Sequence, residues 1–229
     1  AMLLSYWFLP IAVLIYILLY FYSVKIENDY RVIFERPRVS WKDSWISFVV
    51  GIVWLGFVYA ASGGSLPALS ILALAAAAGA LQGLWRVDRL LHLIPDRFQV
   101  IGLLAGLLFV LAIYQQRPNF EGLVEKLAIG LGLVFILWLL SILYSKIRGN
   151  EGFGFGDIKL LAWLALFFGP KISSVVALAV FLSIGQLLAL ALYRSWKAKK
   201  IDLPKAQESF AFGPFIVLGA MLEGLNVHE

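Results

Sequence analysis

A chain of 229 residues, 62% hydrophobic and only 14% charged, lies outside the composition of soluble globular domains and within that of polytopic membrane proteins. It has no cysteine and only two histidines, His92 and His228, which excludes disulfide frameworks, thiolate zinc sites and dithiol redox chemistry and leaves no metal to expect. The net charge of +5 would suit a nucleic-acid partner, but no basic run is interleaved with aromatics, so none is expected and the charge is read as loop charge in a bilayer protein.

A membrane-crossing helix needs about 20 mostly apolar residues. Taken in chain order, such runs fall at 2–24, 45–61, 66–85, 98–114, 123–144, 158–168, 172–193 and 210–225, with Gly and Pro at most of the turns between them. The fold class expected is therefore an all-α polytopic membrane protein of about eight transmembrane helices, in a single membrane domain spanning 1–229. Ala1 reads as a remnant ahead of Met2. The first run has no basic flank before it and exceeds the length of a signal-peptide core, so it reads as a retained helix. Residues 25–44 form a short first loop, and the small residues around 76–80 allow close helix packing.

Eight crossings put both termini on one side, and the basic residues say which. Lys25, Arg31, Arg36, Arg38 and Lys42 fall in the first loop; Arg86, Arg89 and Arg97 in the third; Lys146, Arg148 and Lys159 in the fifth. Arg194, Lys197, Lys199, Lys200 and Lys205 fall in the seventh, whereas the alternate loops hold only Arg117, Lys126 and Lys171. The positive-inside rule makes the rich loops cytoplasmic and both termini external.

Of the 14 carboxylates, most have ordinary readings. Glu27, Asp29, Glu35 and Asp43 belong to a solvated mixed-charge loop; Glu121 and Glu125 to an external loop; Asp202, Glu208 and Glu229 are peripheral. Glu223 reads as an interfacial residue near the external end of the last span, and Glu151 as solvent-exposed in a glycine-rich turn. Three remain. Asp88 closes the third span, Asp96 follows the Ile94-Pro95 turn, and Asp157 opens the sixth span, all on the cytoplasmic side.

Two readings of these three stand side by side. In the first, Asp157 caps its helix, Asp96 caps the fourth span or pairs with Arg97, and Asp88 pairs with Arg86 or Arg89. In the second, ionisable groups at membrane depth are costly enough to be functional. Gly152, Gly154 and Gly156 alternate with Phe153 and Phe155 before Asp157, more glycine than a cap requires and suited to a backbone approached closely by another chain. The sixth span is also shorter than the hydrocarbon layer, which would set its start below the cytoplasmic surface. Asp88 and Asp157 at one membrane face would form a carboxylate dyad: one ionised member takes a proton from a water while the protonated member donates to a carbonyl. Such a dyad serves peptide hydrolysis without a covalent intermediate. No GxSxG element is present for a serine mechanism, and His92 is the only candidate base.

At these residues the chain resembles the type IV prepilin peptidases, bacterial members of the GxGD aspartic proteases. GxGD reads here as Gly154-Phe155-Gly156-Asp157, continuing into "DIKLLAWLA". The family's first aspartate followed eight residues later by Pro-Asp reads as Asp88 and then Pro95-Asp96. "FAFGPFIVLGA" is similar to the family's "PFGPFL" element, through Phe212-Gly213-Pro214. The resemblance covers 83–224, which it implies is the peptidase core. It implies an aspartic endopeptidase of the bacterial inner membrane that cuts the short basic leader from prepilins and pseudopilins on the cytoplasmic side, with Asp88 and Asp157 as the catalytic pair. Asp96 would be supporting, Gly154 and Gly156 would shape the turn, and Gly213-Pro214 would pack near the site. Leader charge would be read by anionic lipid or by Glu151.

The chain departs from the family at its N-terminal side. Many members also methylate the new N-terminus with S-adenosylmethionine and carry paired CxxC sequences in a large first loop; here that loop is short and cysteine-free. The peptidase needs no cofactor, and S-adenosylmethionine enters only with methyl transfer, which stays open. The competing readings are a small transporter or proton or cation pathway, which would place carboxylates mid-span, and another GxGD intramembrane protease. Nothing in the sequence sets an oligomeric state.

Overall fold

Hydrocarbon offers no partner to a backbone N–H or C=O, so a chain of this composition must pair them within itself. The computed structural model describes residues 2–34, 45–61, 67–116, 118, 120–148, 154–198 and 212–224, and these are helical almost throughout. In chain order the helices are α1 (Met2–Ile33), α2 (Trp45–Ala61), α3 (Ala68–Leu91), α4 (Asp96–Gln116), α5 (Phe120–Arg148), α6 (Phe155–Phe168), α7 (Ile172–Ala198) and α8 (Gly213–Glu223). A single 3-10 turn, Gly169–Lys171, joins α6 to α7. Among the described residues, five stretches are long and apolar enough to cross a membrane: Phe8–Ile33, Ala68–Arg89, Asp96–Gln115, Phe120–Ile147 and Phe155–Tyr193, the last running through that turn. This is a multi-pass membrane protein.

Between lipid and protein, burying a leucine contributes little drive, and helices associate where small residues let backbones come close. Helix α3 has that character and is the central element. Ala73, Ala75, Ala77, Ala78 and Ala80 are buried along it, and it packs most extensively against α1 and α4 while also meeting α2 and α8. Helix α4 in turn packs on α6, where the Trp163 ring lies over Gly102. Large apolar side chains face outward instead: Leu104, Leu111, Phe135, Leu140, Phe181 and Leu192 are all more than half exposed. In water such a surface would be an aggregation liability; in a bilayer it is the lipid face.

The turn between α3 and α4 sets up the site. Helix α3 ends at His92 in the left-handed region (φ 52, ψ 39), whose N–H donates to the Asp88 carbonyl at 2.9 Å. Pro95 then disfavours helix at the residue before it, and α4 begins at Asp96.

Two expectations need correction here. Residues 25–33 of the anticipated first loop continue α1, and Glu27 is buried (2% exposed) rather than solvated. The reason is charge pairing: Glu27 accepts from Arg86 Nε at 2.8 Å and from Arg31 Nε at 2.9 Å, so a carboxylate can sit inside the bundle. Glu223, expected at an exposed interface, is also buried, because α8 turns it toward a cavity shared with Trp54 and Lys171. Glu35, Asp43, Glu151, Gly152, Asp202, Glu208 and Glu229 lie outside the described residues.

Candidate active site

Three helix ends meet at one end of the bundle. Asp88 comes from the last turn of α3, Asp157 from the first turn of α6, and Gly213 from the first residue of α8. Asp88 is 4% exposed, and its carboxyl is close enough to Asp157 to act on it electrostatically. Each acid has one enclosed oxygen, Asp88 Oδ2 and Asp157 Oδ1, without a well-formed hydrogen bond from the protein, the Gly213 backbone amide lying beside the Asp88 carboxyl. Buried carboxylate oxygens are ordinarily satisfied, so one lacking such a bond on each of two neighbouring acids calls for a reason. The exposed His92 is also near enough for its charge to act on Asp88.

The neighbourhood is built by close approach. The backbone amide of Gly213 lies against the Asp88 carboxyl, and a Cβ at Gly213 would collide with Asp88 Oδ2. Pro214 follows, buried in the first turn of α8, where its missing N–H costs no helical bond. On the opposite side, a Cβ at Gly156 would come within 2.9 Å of Ile94 Cβ. Ile94 also comes within 3.3 Å of where a Gly213 Cβ would stand, so this side chain is wedged between the two glycine backbones beside the acids.

The simple capping and pairing readings do not describe what these acids do. The N-cap of α6 is Gly154, with no side-chain capping bond, and the Asp157 N–H donates to the Gly154 carbonyl at 3.0 Å. Asp157 is thus inside the first turn, with Oδ2 3.2 Å from where a Gly154 Cβ would stand and the carboxyl within the field of Asp88. Arg86 is committed to Glu27, its Nη2 2.6 Å from Oε2, and stacks 5.4 Å from the Tyr20 ring centroid. Asp96 stands apart. Its side chain is 77% exposed and takes a 2.7 Å ion pair from Lys159, the residue two beyond Asp157, rather than from Arg97.

Residues that sequence reasoning passed over also support this end. Glu27 and Arg86 form a buried pair one helix away, and Ile94 supplies the wedge. Gln99, buried in α4, donates from Nε2 to the Gly156 carbonyl at 2.9 Å and accepts from Trp163 Nε1 at 2.8 Å. Its only signal was an amide within an apolar span. Among the described residues no three His, Cys, Asp or Glu side chains gather as metal ligands.

Comparison with known proteins bears on this arrangement. The profile of the type IV leader peptidase family matches residues 87–192. The leader peptidase HopD of Escherichia coli is 34% identical over 163 residues, a match covering 68% of this chain and 92% of that protein. This chain belongs to the type IV leader peptidase family. The family segment contains Asp88, Asp96 and Asp157 and stops short of Gly213-Pro214. Another relative is a prepilin leader peptidase/N-methyltransferase of Dickeya chrysanthemi, 30% identical over 192 residues, covering 82% of this chain and 62% of that protein. A protein of the same description from Burkholderia pseudomallei (strain K96243) is 28% identical over 166 residues, covering 71% of this chain and 47% of that protein. The chain thus spans about half to three-fifths of the length of these two longer relatives. No solved structure matches it.

Proposed function

We propose that this protein is an aspartic endopeptidase that removes the short leader from type IV prepilins or pseudopilins, with Asp88 and Asp157 activating a water at the cytoplasmic face of the bacterial inner membrane. One observation carries the reading: two acids from separate helices lie within each other's field, each with an enclosed oxygen that lacks a well-formed hydrogen bond from the protein. Two neighbouring carboxyls share protons as a unit, since both cannot ionise cheaply together. The ionised member takes a proton from water as the water oxygen bonds to the scissile carbonyl carbon, while the protonated member donates to the carbonyl oxygen. Collapse of the tetrahedral intermediate breaks the C–N bond, and the proton taken from water passes to the departing amine. Family membership and the placement of both acids at helix ends, where a peptide can arrive from water, support this route.

The set of eight spans is read from the apolar runs, and with that count the charge asymmetry of the loops supports the cytoplasmic placement and both external termini. Asp96, exposed and paired with Lys159, is assigned a supporting role, and Gly154, Gly156, Gly213 and Pro214 shape the backbone around the pair. S-adenosylmethionine would need partners for its carboxylate, ammonium and ribose. The cavity of about 440 Å³ is lined mainly by apolar side chains with Glu223 and Lys171 its charged members, and it sits at the other end of α6 and α8. No methyl-transfer step is assigned.

The test is co-expression with a prepilin. Asp88→Asn and Asp157→Asn each keep the side-chain shape and remove the ionisable group, and each should reduce leader cleavage by roughly 1,000-fold or more, to below detection on a gel. Asp96→Asn should retain substantial cleavage. Complete processing by either of the first two variants would overturn the dyad.

A further inference from the structure

Gln99 lies near the start of α4, 6% exposed, with both ends of its amide committed to α6. Nε2 donates at 2.9 Å to the carbonyl of Gly156, the peptide group whose nitrogen belongs to Asp157. Oε1 accepts at 2.8 Å from the indole of Trp163, which is 1% exposed and about two turns further along the same face of α6. An indole N–H can only donate and a carbonyl can only accept. The two partners therefore specify one orientation of the amide, and the amide spans two points on α6.

The helices do not need this bond in order to meet. Gly102 under the Trp163 ring and Gly106 beside Leu166 already bring α4 and α6 together through apolar contact. Apolar contact, however, is non-directional and tolerates small slides and rotations, whereas two oppositely polarised hydrogen bonds from one side chain do not. Helix α4 is also joined directly to the Asp88 end of α3 by the His92–Pro95 turn, so fixing α6 to α4 fixes Asp157 relative to Asp88.

We propose that Gln99 is a positioning residue for Asp157: its amide clamps the register of α6 on α4, and Trp163 holds the amide in the orientation that grips the Gly156 carbonyl. The proposal rests on the dyad reading above. Gln99→Met keeps an unbranched side chain of similar length and removes both bonds. It should lower kcat for prepilin cleavage by about 10- to 100-fold, the scale expected for a shift of about 1 Å between reacting groups. KM for the prepilin should stay within about twofold of wild type, since only transition-state geometry is lost. Trp163→Phe keeps a ring over Gly102 and should lower kcat by up to about tenfold at unchanged KM, because the amide is still present but no longer oriented. The double variant should match Gln99→Met within about twofold, since both act through the one amide.

Unchanged kcat in Gln99→Met, a rise in KM alone, or penalties that multiply in the double variant would each overturn the clamp. Thermal unfolding in detergent accompanies each variant. If Gln99→Met does not fold, Trp163→Phe decides: lost kcat at constant KM supports the clamp and full kcat overturns it. Wild-type protein that leaves the prepilin uncut would overturn the peptidase reading itself. Wild-type cleavage with an undiminished Gln99→Met overturns only the clamp.

Discussion

Helices α6 and α8 both run from the carboxylate pair to the cavity of about 440 Å³, and their two ends are packed differently. At the first end, Gly213 faces Asp88 and Gly156 faces Ile94 with no space for an added methyl group. At the other, Gly224 is approached just as closely by Trp54, but Phe168 and Ala220 line a space shared with Val110 of α4 and Leu127 of α5. The same two helices thus come into close backbone contact beside the acids and enclose a cavity at the far end, apolar apart from Glu223 and Lys171. On the proposed dyad reading, the close contacts lie where a shift of about 1 Å would change a rate on the order of 100-fold, and the cavity lies where dispersion contacts can readjust.

Three substitutions break or sharpen this contrast, taken from the largest effect down. Glu27→Gln leaves Arg86 buried without its counter-charge and should destabilise the protein by about 3–5 kcal/mol, measured by unfolding in mixed micelles. A loss below about 1 kcal/mol would mean the pair behaves like a solvent-exposed one. Gly213→Ala puts a methyl group on Asp88 Oδ2 and should slow leader cleavage roughly 100-fold, about 2.7 kcal/mol in barrier. Wild-type turnover there would show that the acid end has slack. Val110→Leu adds one carbon at the cavity wall and should change stability by less than about 1.5 kcal/mol with cleavage unaltered. A larger loss would show the cavity end to be as closely fitted as the other.

Asp88 and Asp157 stand out in the sequence because a carboxylate in an oily chain is rare and its position relative to the spans is visible in the hydropathy pattern. The excess glycine before Asp157 was legible as close approach, and Ile94 proves to be what approaches Gly156. The capping role of Asp157 was misread, because capping depends on which residue leaves the helix first, and here that is Gly154. Glu27 was misread for a related reason. A run of charges looks like a loop until tertiary partners, here Arg86 on α3, allow it to stay helical and buried. Gln99 left almost no trace, since one amide in an apolar span gains meaning only from the donor and acceptor facing it.

By itself, the amino-acid sequence determined the membrane class, the helical segments and the identity of the acids, because these depend on local hydropathy and on the cost of charge in hydrocarbon. Only the tertiary structure decided that the two acids lie within each other's field, that Arg86 serves Glu27 rather than Asp88, and that Gln99 grips the Gly156 carbonyl. Those are relations between helices far apart in the chain. They depend on register and rotation, which small residues such as Gly102 permit but which only directional bonds between side chains and backbone select.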